Sequence, residues 1–162
     1  MDADAMIKLT KAHAKEPVSK AFTVILAPAV EDECVEQGLA GGHSDAALIG
    51  QNLKAGLVSS GQGRRVPRAE ALLRSLGLSD GEADALRLFM AGRADIVVSD
   101  DRRFLQVLKG LEVPRTTPAA LLARLVARKS ISRQEGLRLL DRMAPLISEI
   151  EFMAIRRSME GG

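Results

Sequence analysis

Two short apolar runs, set among long stretches of helical pattern, constrain this chain more than anything else in it. Ala21 to Leu26 (AFTVIL) and Ile96 to Val98 (IVV) are rich in β-branched residues and read as buried strands. The first runs up to Pro28, which suits the first turn of a helix because its missing N–H costs nothing there. The second stops abruptly at Ser99-Asp100-Asp101. Strands alternating with helical segments argue for an α/β sandwich around a mostly parallel sheet.

The helical segments carry their own punctuation. A helix is expected from Pro28 through Val30, Glu33, Cys34 and Val35 to Gly38, and a second from Ser44 with Ala47, Leu48 and Leu53 on one face. Gly56 ends that helix, Leu57-Val58 reads as a brief strand, and Ser59 to Arg65 (SSGQGRR) as a loop. Pro67 opens a helix with Leu72, Leu73 and Leu76, closed by Gly77. Ser79 and Glu82 fit a capping box ahead of a helix packing Ala83, Leu86 and Met90 and ending at Gly92. Another helix spans about Arg102 to Lys109 around Phe104, Leu105 and Leu108, with Val113 marking a last short strand. Thr117-Pro118 begins a helix through Leu121, Leu122 and Leu125, and Ser132/Glu135 and Ser148/Glu151 announce two closing helices.

At 162 residues the chain suits a single domain with a real core, about 1–115, followed by C-terminal helices, about 116–162. Four Phe with no Trp or Tyr leave Leu, Ala, Val, Ile and Met to do the packing, and argue against an aromatic platform for stacking bases. Cys34 is the single cysteine, so no internal disulfide is expected, and its place among helical acids reads as a packed side chain. No apolar run approaches a membrane span and the opening residues are too broken for a signal peptide, so a cytoplasmic protein without membrane contact is expected. A net charge of +2 permits contact with a polyanion without arguing for it.

The arrangement of acids is more informative. In open parallel sheets ligands bind beyond the carboxyl ends of the strands. Asp100 and Asp101 directly follow IVV, Glu33 lies in the first turns of the helix after AFTVIL, Asp84 is in the helix before IVV, and Asp2 and Asp4 open the chain ahead of Met6-Ile7-Lys8-Leu9. Carboxylates gathered without basic partners repel one another, and a hard cation such as Mg²⁺ or Mn²⁺ relieves that repulsion through oxygen ligation. Each acid also has an ordinary reading. Glu31, Asp32 and Glu33 suit the positive end of a helix, Glu82 can complete the Ser79 capping box, and Asp100 or Asp101 can cap the helix that follows. His13 and His43 are isolated in polar surroundings and are assigned no chemistry.

The order of these acids resembles the PIN-domain family, in its prokaryotic branch related to VapC-type toxins. Asp2 to Leu9 (DADAMIKL) is similar to its opening motif and Pro28 to Val35 (PAVEDECV) to its second, with Glu33 in the acidic position. Gly81 to Leu86 (GEADAL) resembles the third through Asp84, and Ser99 to Phe104 (SDDRRF) the fourth through Asp101. The resemblance covers about residues 1–115 and implies a Rossmann-like α/β/α fold, often a homodimer. It implies a Mg²⁺- or Mn²⁺-dependent ribonuclease, with Asp2, Glu33, Asp84 and Asp101 as catalytic metal ligands and Asp4, Glu82, Ser99 and Asp100 as a second tier. Lys8, Arg64, Arg65, Arg102 and Arg103 are the nearest cations for RNA phosphates. A role as the toxin of a pair with a protein antitoxin would follow from the same branch. Family members place a complete strand before the first acid, whereas Met1 alone precedes Asp2 here; that strand is either supplied from upstream or built from residues after Asp2.

Two other readings stand beside it. Asp2-x-Asp4 with Asp100-Asp101 also resembles haloacid-dehalogenase-type phosphatases, although Ala5-Met6 fits that motif poorly and Glu33 and Asp84 would have no role. A catalytically silent PIN-like module that binds nucleic acid or protein is the other, with Leu137, Leu140, Ile147, Ile150 and Phe152 of the closing helices as a partner face or as intrachain packing.

Overall fold

The chain begins not with a strand but with a helix, α1 (Ala3–Lys11), which Asp2 caps by accepting from the Ala5 N–H at 2.9 Å. Met6-Ile7-Lys8-Leu9 therefore packs as a helix face, burying Met6 and Leu9. This excludes a first strand built from the residues after Asp2. The structure, a computed structural model, describes residues 1–63 and 65–161.

A second helix, α2 (Lys15–Ala21), occupies a segment in which the sequence gives no clear helical signal. Its last residue takes Ala21 out of the expected strand, and β1 is confined to Ile25–Leu26. Next come α3 (Pro28–Asp32), a π turn (Glu33–Gln37) and α4 (Gly38–Ala40), which together form the helix expected from Pro28 to Gly38. In the following helix, α5 (Ser44–Lys54), the buried residues are Ala46 and Ile49, whereas Ala47 and Leu48 face outward. The expected face is thus wrong by part of a turn. A Cβ on Gly38 would stand 2.7 Å from the Ala46 Cβ, so it is the close approach of Gly38 that selects the Ala46 side.

Strand β2 (Ser59–Ser60) begins just after buried Val58, so the strand expected at Leu57-Val58 is shifted into the start of the expected loop. Helices α6 (Pro67–Ser75) and α7 (Asp80–Met90) follow, the second with the full reciprocal capping box of Ser79 and Glu82. Met90 is exposed rather than packed. Strand β3 (Val97–Val98) leads through Ser99 to α8 (Arg102–Gly110), and β4 (Arg115–Thr116) lies just beyond the strand expected at Val113. Thr117 caps α9 (Pro118–Ala127), Ser132 caps α10 (Arg133–Met143) and Ser148 caps α11 (Glu149–Glu160).

The expected α/β class holds, with a difference in the sheet. Strands β1 and β2 pair in parallel, as do β3 and β4, giving two separate pairs among the described residues instead of one continuous sheet. Helices α1, α2, α9, α10 and α11 pack on one another around a core that includes Met6, Leu9, Leu122, Leu125 and Leu140. A second cluster joins Phe104 and Leu108 of α8 to Leu73, Leu86, Val97 and Val113. Leu140 is fully buried, while Ile150 is 84% exposed, so the closing helices bury most but not all of their apolar residues within the chain. No described helix is long and apolar enough to cross a membrane.

Candidate active site

Three of the acids picked out by sequence stand at helix boundaries, two of them soon after a strand. Asp2 precedes α1, Glu33 follows the short α3 after β1, and Asp101 caps α8 after β3. Their backbone positions follow from local rules. A short oxygen side chain at the residue before a helix satisfies an orphan N–H, and Asp101 Oδ1 accepts from the Phe104 N–H at 2.6 Å in this way. Glu33 opens the π turn, whose extra residue rotates the side chains that follow.

Ser99 ties two of these acids together. Its side chain is fully buried; the Asp2 carboxylate hydrogen-bonds it, and its Oγ accepts from the Asp101 N–H at 3.1 Å. Burial drives the Asp2 pKa upward, against the hydrogen bonds from Ser99 and the Ala5 N–H that pull it down. Asp101 is exposed and keeps its second carboxylate oxygen clear of the cap.

Glu33 and Asp84 both lie close to Gly81 of α7. The Glu33 Oε2 lies 3.7 Å from where a Cβ on Gly81 would stand, and Asp84 is one turn along from Gly81 on α7. The Glu33 side chain is exposed and makes no hydrogen bond or ion pair among the described residues. Between Glu33 and Asp2 sits Cys34, 2% exposed, its Sγ 3.8 Å from the Ala3 carbonyl oxygen. Burial, reinforced by the negative charges of Glu33, Asp2 and Asp45, pushes its thiol up to about 12, so it stays protonated and inert.

The remaining acidic candidates already have partners, cationic for Asp84, Asp100 and Asp4. Asp84 Oδ1 accepts from Arg87 Nη1 at 2.6 Å, while Arg87 Nε and Nη2 form a fork on both oxygens of Glu70, each at 2.7 Å. The Lys8 ammonium is held between Asp100 and Asp4. Burial pulls its pKa down, but the Asp100 and Asp4 carboxylates more than offset this and hold it above its ordinary value. Glu82 Oε2 accepts from the Ser79 N–H at 2.7 Å, completing the capping box.

Of the cations expected to meet phosphate, Lys8 is thus engaged by carboxylates, and Arg103 Nη2 donates to the carbonyls of Leu76 and Gly77 at 3.0 and 2.6 Å. Arg65 and Arg102 are exposed, and Arg64 lies outside the described residues.

Sequence reasoning passed over Arg87, Glu70 and Asp45. The Asp84/Arg87 spacing of three was legible as a helix-surface pair. Glu70 lies 17 residues from Arg87, and nothing in the spacing of Asp45 separates it from an ordinary first-turn acid.

These acids stand in a framework that sequence comparison recognises. The model of the family DUF3368, described as a PIN domain, matches residues 1–148. The chain belongs to the PIN-domain family. No curated protein and no solved structure matches it.

PIN domains are generally nucleases, and PIN-domain nucleases typically use divalent metals. The donor chemistry of this PIN domain suits such an ion in kind, being all carboxylate and hydroxyl oxygen. Asp2 is a desolvated carboxylate, Glu33 is unpaired among the described residues, and Asp101 has an oxygen to spare. As the side chains stand, no three His, Cys, Asp or Glu residues among those described are placed to hold one ion. Asp84 would have to exchange Arg87 for the metal. That exchange leaves the guanidinium on its two-point bond to Glu70, so it strands no charge.

Proposed function

We propose that this PIN domain is a divalent-metal-dependent ribonuclease whose ion, Mg²⁺ or Mn²⁺, is held by Asp2, Glu33, Asp84 and Asp101. The observation that carries the proposal is the joining of Asp2 and Asp101, 99 residues apart, through the one buried hydroxyl of Ser99. A Rossmann-like α/β/α sandwich is the arrangement in which such strand ends face one cleft. When bound, the metal supplies charge stabilisation at phosphorus and lowers the pKa of a water.

The chain's own side chains do the rest. Ser99 fixes the separation of Asp2 and Asp101, and the cap on Phe104 holds Asp101 against rotation. Arg65 and Arg102 take backbone phosphates, which positions an RNA strand without reading its sequence. Asp4 and Asp100 hold the Lys8 ammonium between them. Service as the toxin of a toxin–antitoxin pair, as a cytoplasmic homodimer restrained by an antitoxin, extends the same proposal.

The test is cleavage of structured and unstructured RNA with Mn²⁺, with Mg²⁺ and with chelator. Asp84→Asn and Asp101→Asn should each lower the metal-dependent rate by roughly 100-fold while leaving the fold intact by circular dichroism. Undiminished cleavage in both variants would sink the assignment. Hydrolysis of a chromogenic phosphomonoester in place of RNA would favour the phosphatase reading. Metal binding by calorimetry with no turnover would favour a silent binding module.

A further inference from the structure

Arg87 of α7 is gripped by two carboxylates, and unequally. Both oxygens of Glu70, on α6, accept from its Nε and Nη2 at 2.7 Å each, whereas Asp84 accepts a single bond from Nη1 at 2.6 Å. The three side chains are mostly buried, with exposures of 13% for Arg87, 16% for Glu70 and 19% for Asp84, so salt screens the trio little. Glu70 does more than Asp84 to raise the pKa of the guanidinium, against the desolvation that lowers it.

The Arg87 backbone is fixed as well. A Cβ on buried Gly63 would stand 2.4 Å from the Arg87 carbonyl carbon and 2.6 Å from its Cβ, so the segment between β2 and α6 lies directly against α7 at this point. The same segment runs on into α6, which delivers Glu70. Movement of the guanidinium is thereby confined to its side-chain torsions. Its choice lies between a carboxylate on its own helix and one on the segment opposite.

That choice decides whether Asp84 is free. A guanidinium facing a lone carboxylate tends to take both of its oxygens in a two-point bond. Here Glu70 occupies the Nε–Nη2 edge, and Asp84 is left with the single bond from Nη1. An Asp84 that turns to a cation breaks that bond alone and leaves Arg87 and Glu70 as a neutral couple. Without the Glu70 charge, the same turn would leave a mostly buried guanidinium with no carboxylate beside it, the costly way to break a buried ion pair.

We infer that Glu70 is a positioning residue for the metal site: it parks Arg87 so that Asp84 can leave the guanidinium for the ion. The inference rests on the assignment of Asp84 as a metal ligand, and adds to it a residue that acts through Arg87 without touching the ion. The competing account is a plain staple, in which the Glu70 fork holds α6 to α7 and has no bearing on the ion.

The experiment is a double-mutant cycle read by Mn²⁺ calorimetry on the 162-residue chain, with circular dichroism to follow folding. Glu70→Gln keeps the shape of the side chain and one acceptor for Arg87, so it removes the charge at little cost to the fold. It should weaken Mn²⁺ binding by about 10-fold, the lower end of the range for groups that orient metal ligands. Arg87→Gln should tighten binding by roughly 10-fold, because Asp84 loses its competitor and the ion loses a neighbouring positive charge. In the Arg87→Gln background, Glu70→Gln should then change the affinity by no more than about 2-fold. A staple shifts the melting temperature of the metal-free chain and leaves Mn²⁺ affinity alone, so unchanged binding in Glu70→Gln would overturn the inference. An equal loss in both backgrounds would overturn it too, since Glu70 would then act by its own charge. In either case binding by the wild-type chain leaves the ion assignment standing. A wild-type chain that binds no Mn²⁺ at millimolar concentration would overturn the ion assignment and this inference together.

Discussion

Phe104→Ala should lower the unfolding free energy by about 4 kcal/mol, within the range of about 3–5 kcal/mol usual for emptying a buried aromatic site. Phe104 is fully buried at the centre of the cluster formed by Leu73, Leu86, Val97, Leu108 and Val113. Those neighbours come from α6, α7, β3, α8 and the segment before β4, and collapse onto the void would require several elements to shift together. The melting temperature should fall by roughly 8–16 °C, at about 2–4 °C per kcal/mol for a chain of this size. Leu48→Ala, at a residue 48% exposed, serves as the control and should change stability by no more than about 0.5 kcal/mol. A Phe104 cost below about 1.5 kcal/mol would show that the cluster is loosely packed. The same residue bears on the site, because its N–H is the group that Asp101 caps. Loss of the ring therefore loosens a candidate ligand as well as a core.

How far the sequence foretold the molecule depends on whether the deciding partners lie close together in the chain. The capping box of Ser79 and Glu82, the Thr117 cap ahead of Pro118 and the Asp101 cap ahead of Phe104 were all legible, since donor and acceptor are three residues apart or nearer. The apolar cores of β1 and β3 were legible for the same reason. The exposed face of α5 was misjudged because Gly38, not the pattern within α5, selects which side is buried. Helix α2 was missed because its reason for folding is distant: Lys15 is 8% exposed and its ammonium donates to the Leu48 carbonyl of α5 at 3.1 Å. Nothing local reports such a contact. In the site, acid identities and their order were readable, while the cations set against them were not. The Arg87 fork on Glu70 and the Lys8 bridge between Asp4 and Asp100 join residues 17 and 92 apart, respectively, for Glu70 and Asp100.

Ser99→Ala should be the most damaging conservative change near the site, costing about 3 kcal/mol at neutral pH. Removal of one hydroxyl takes a partner from the buried Asp2 carboxylate, worth about 1–3 kcal/mol when such a group is left short of one, and from the part-buried Asp101 N–H, which adds the smaller share. The pH dependence separates the two. Burial raises the folded pKa of Asp2, and the Ser99 hydroxyl opposes that rise. A carboxyl with a folded pKa above its unfolded value makes stability fall as pH rises through the interval between them. Without Ser99 the folded value climbs further, so more stability is lost on the alkaline side. The gap between variant and wild type is then widest at neutral pH and narrows in acid, where Asp2 is protonated in both. What remains in acid is the share due to the Asp101 N–H. Asp2→Asn supplies the second arm of a double-mutant cycle, since Asn can still cap α1 and accept from Ser99 but carries no charge. It should raise stability by about 1 kcal/mol at neutral pH while abolishing metal-dependent cleavage, the trade expected of a buried acid kept for function. In that background Ser99→Ala should lose its pH dependence and cost clearly less. An equal cost in both backgrounds would mean that Ser99 acts through packing alone. In that case the link between Asp2 and Asp101 would no longer support a shared ion.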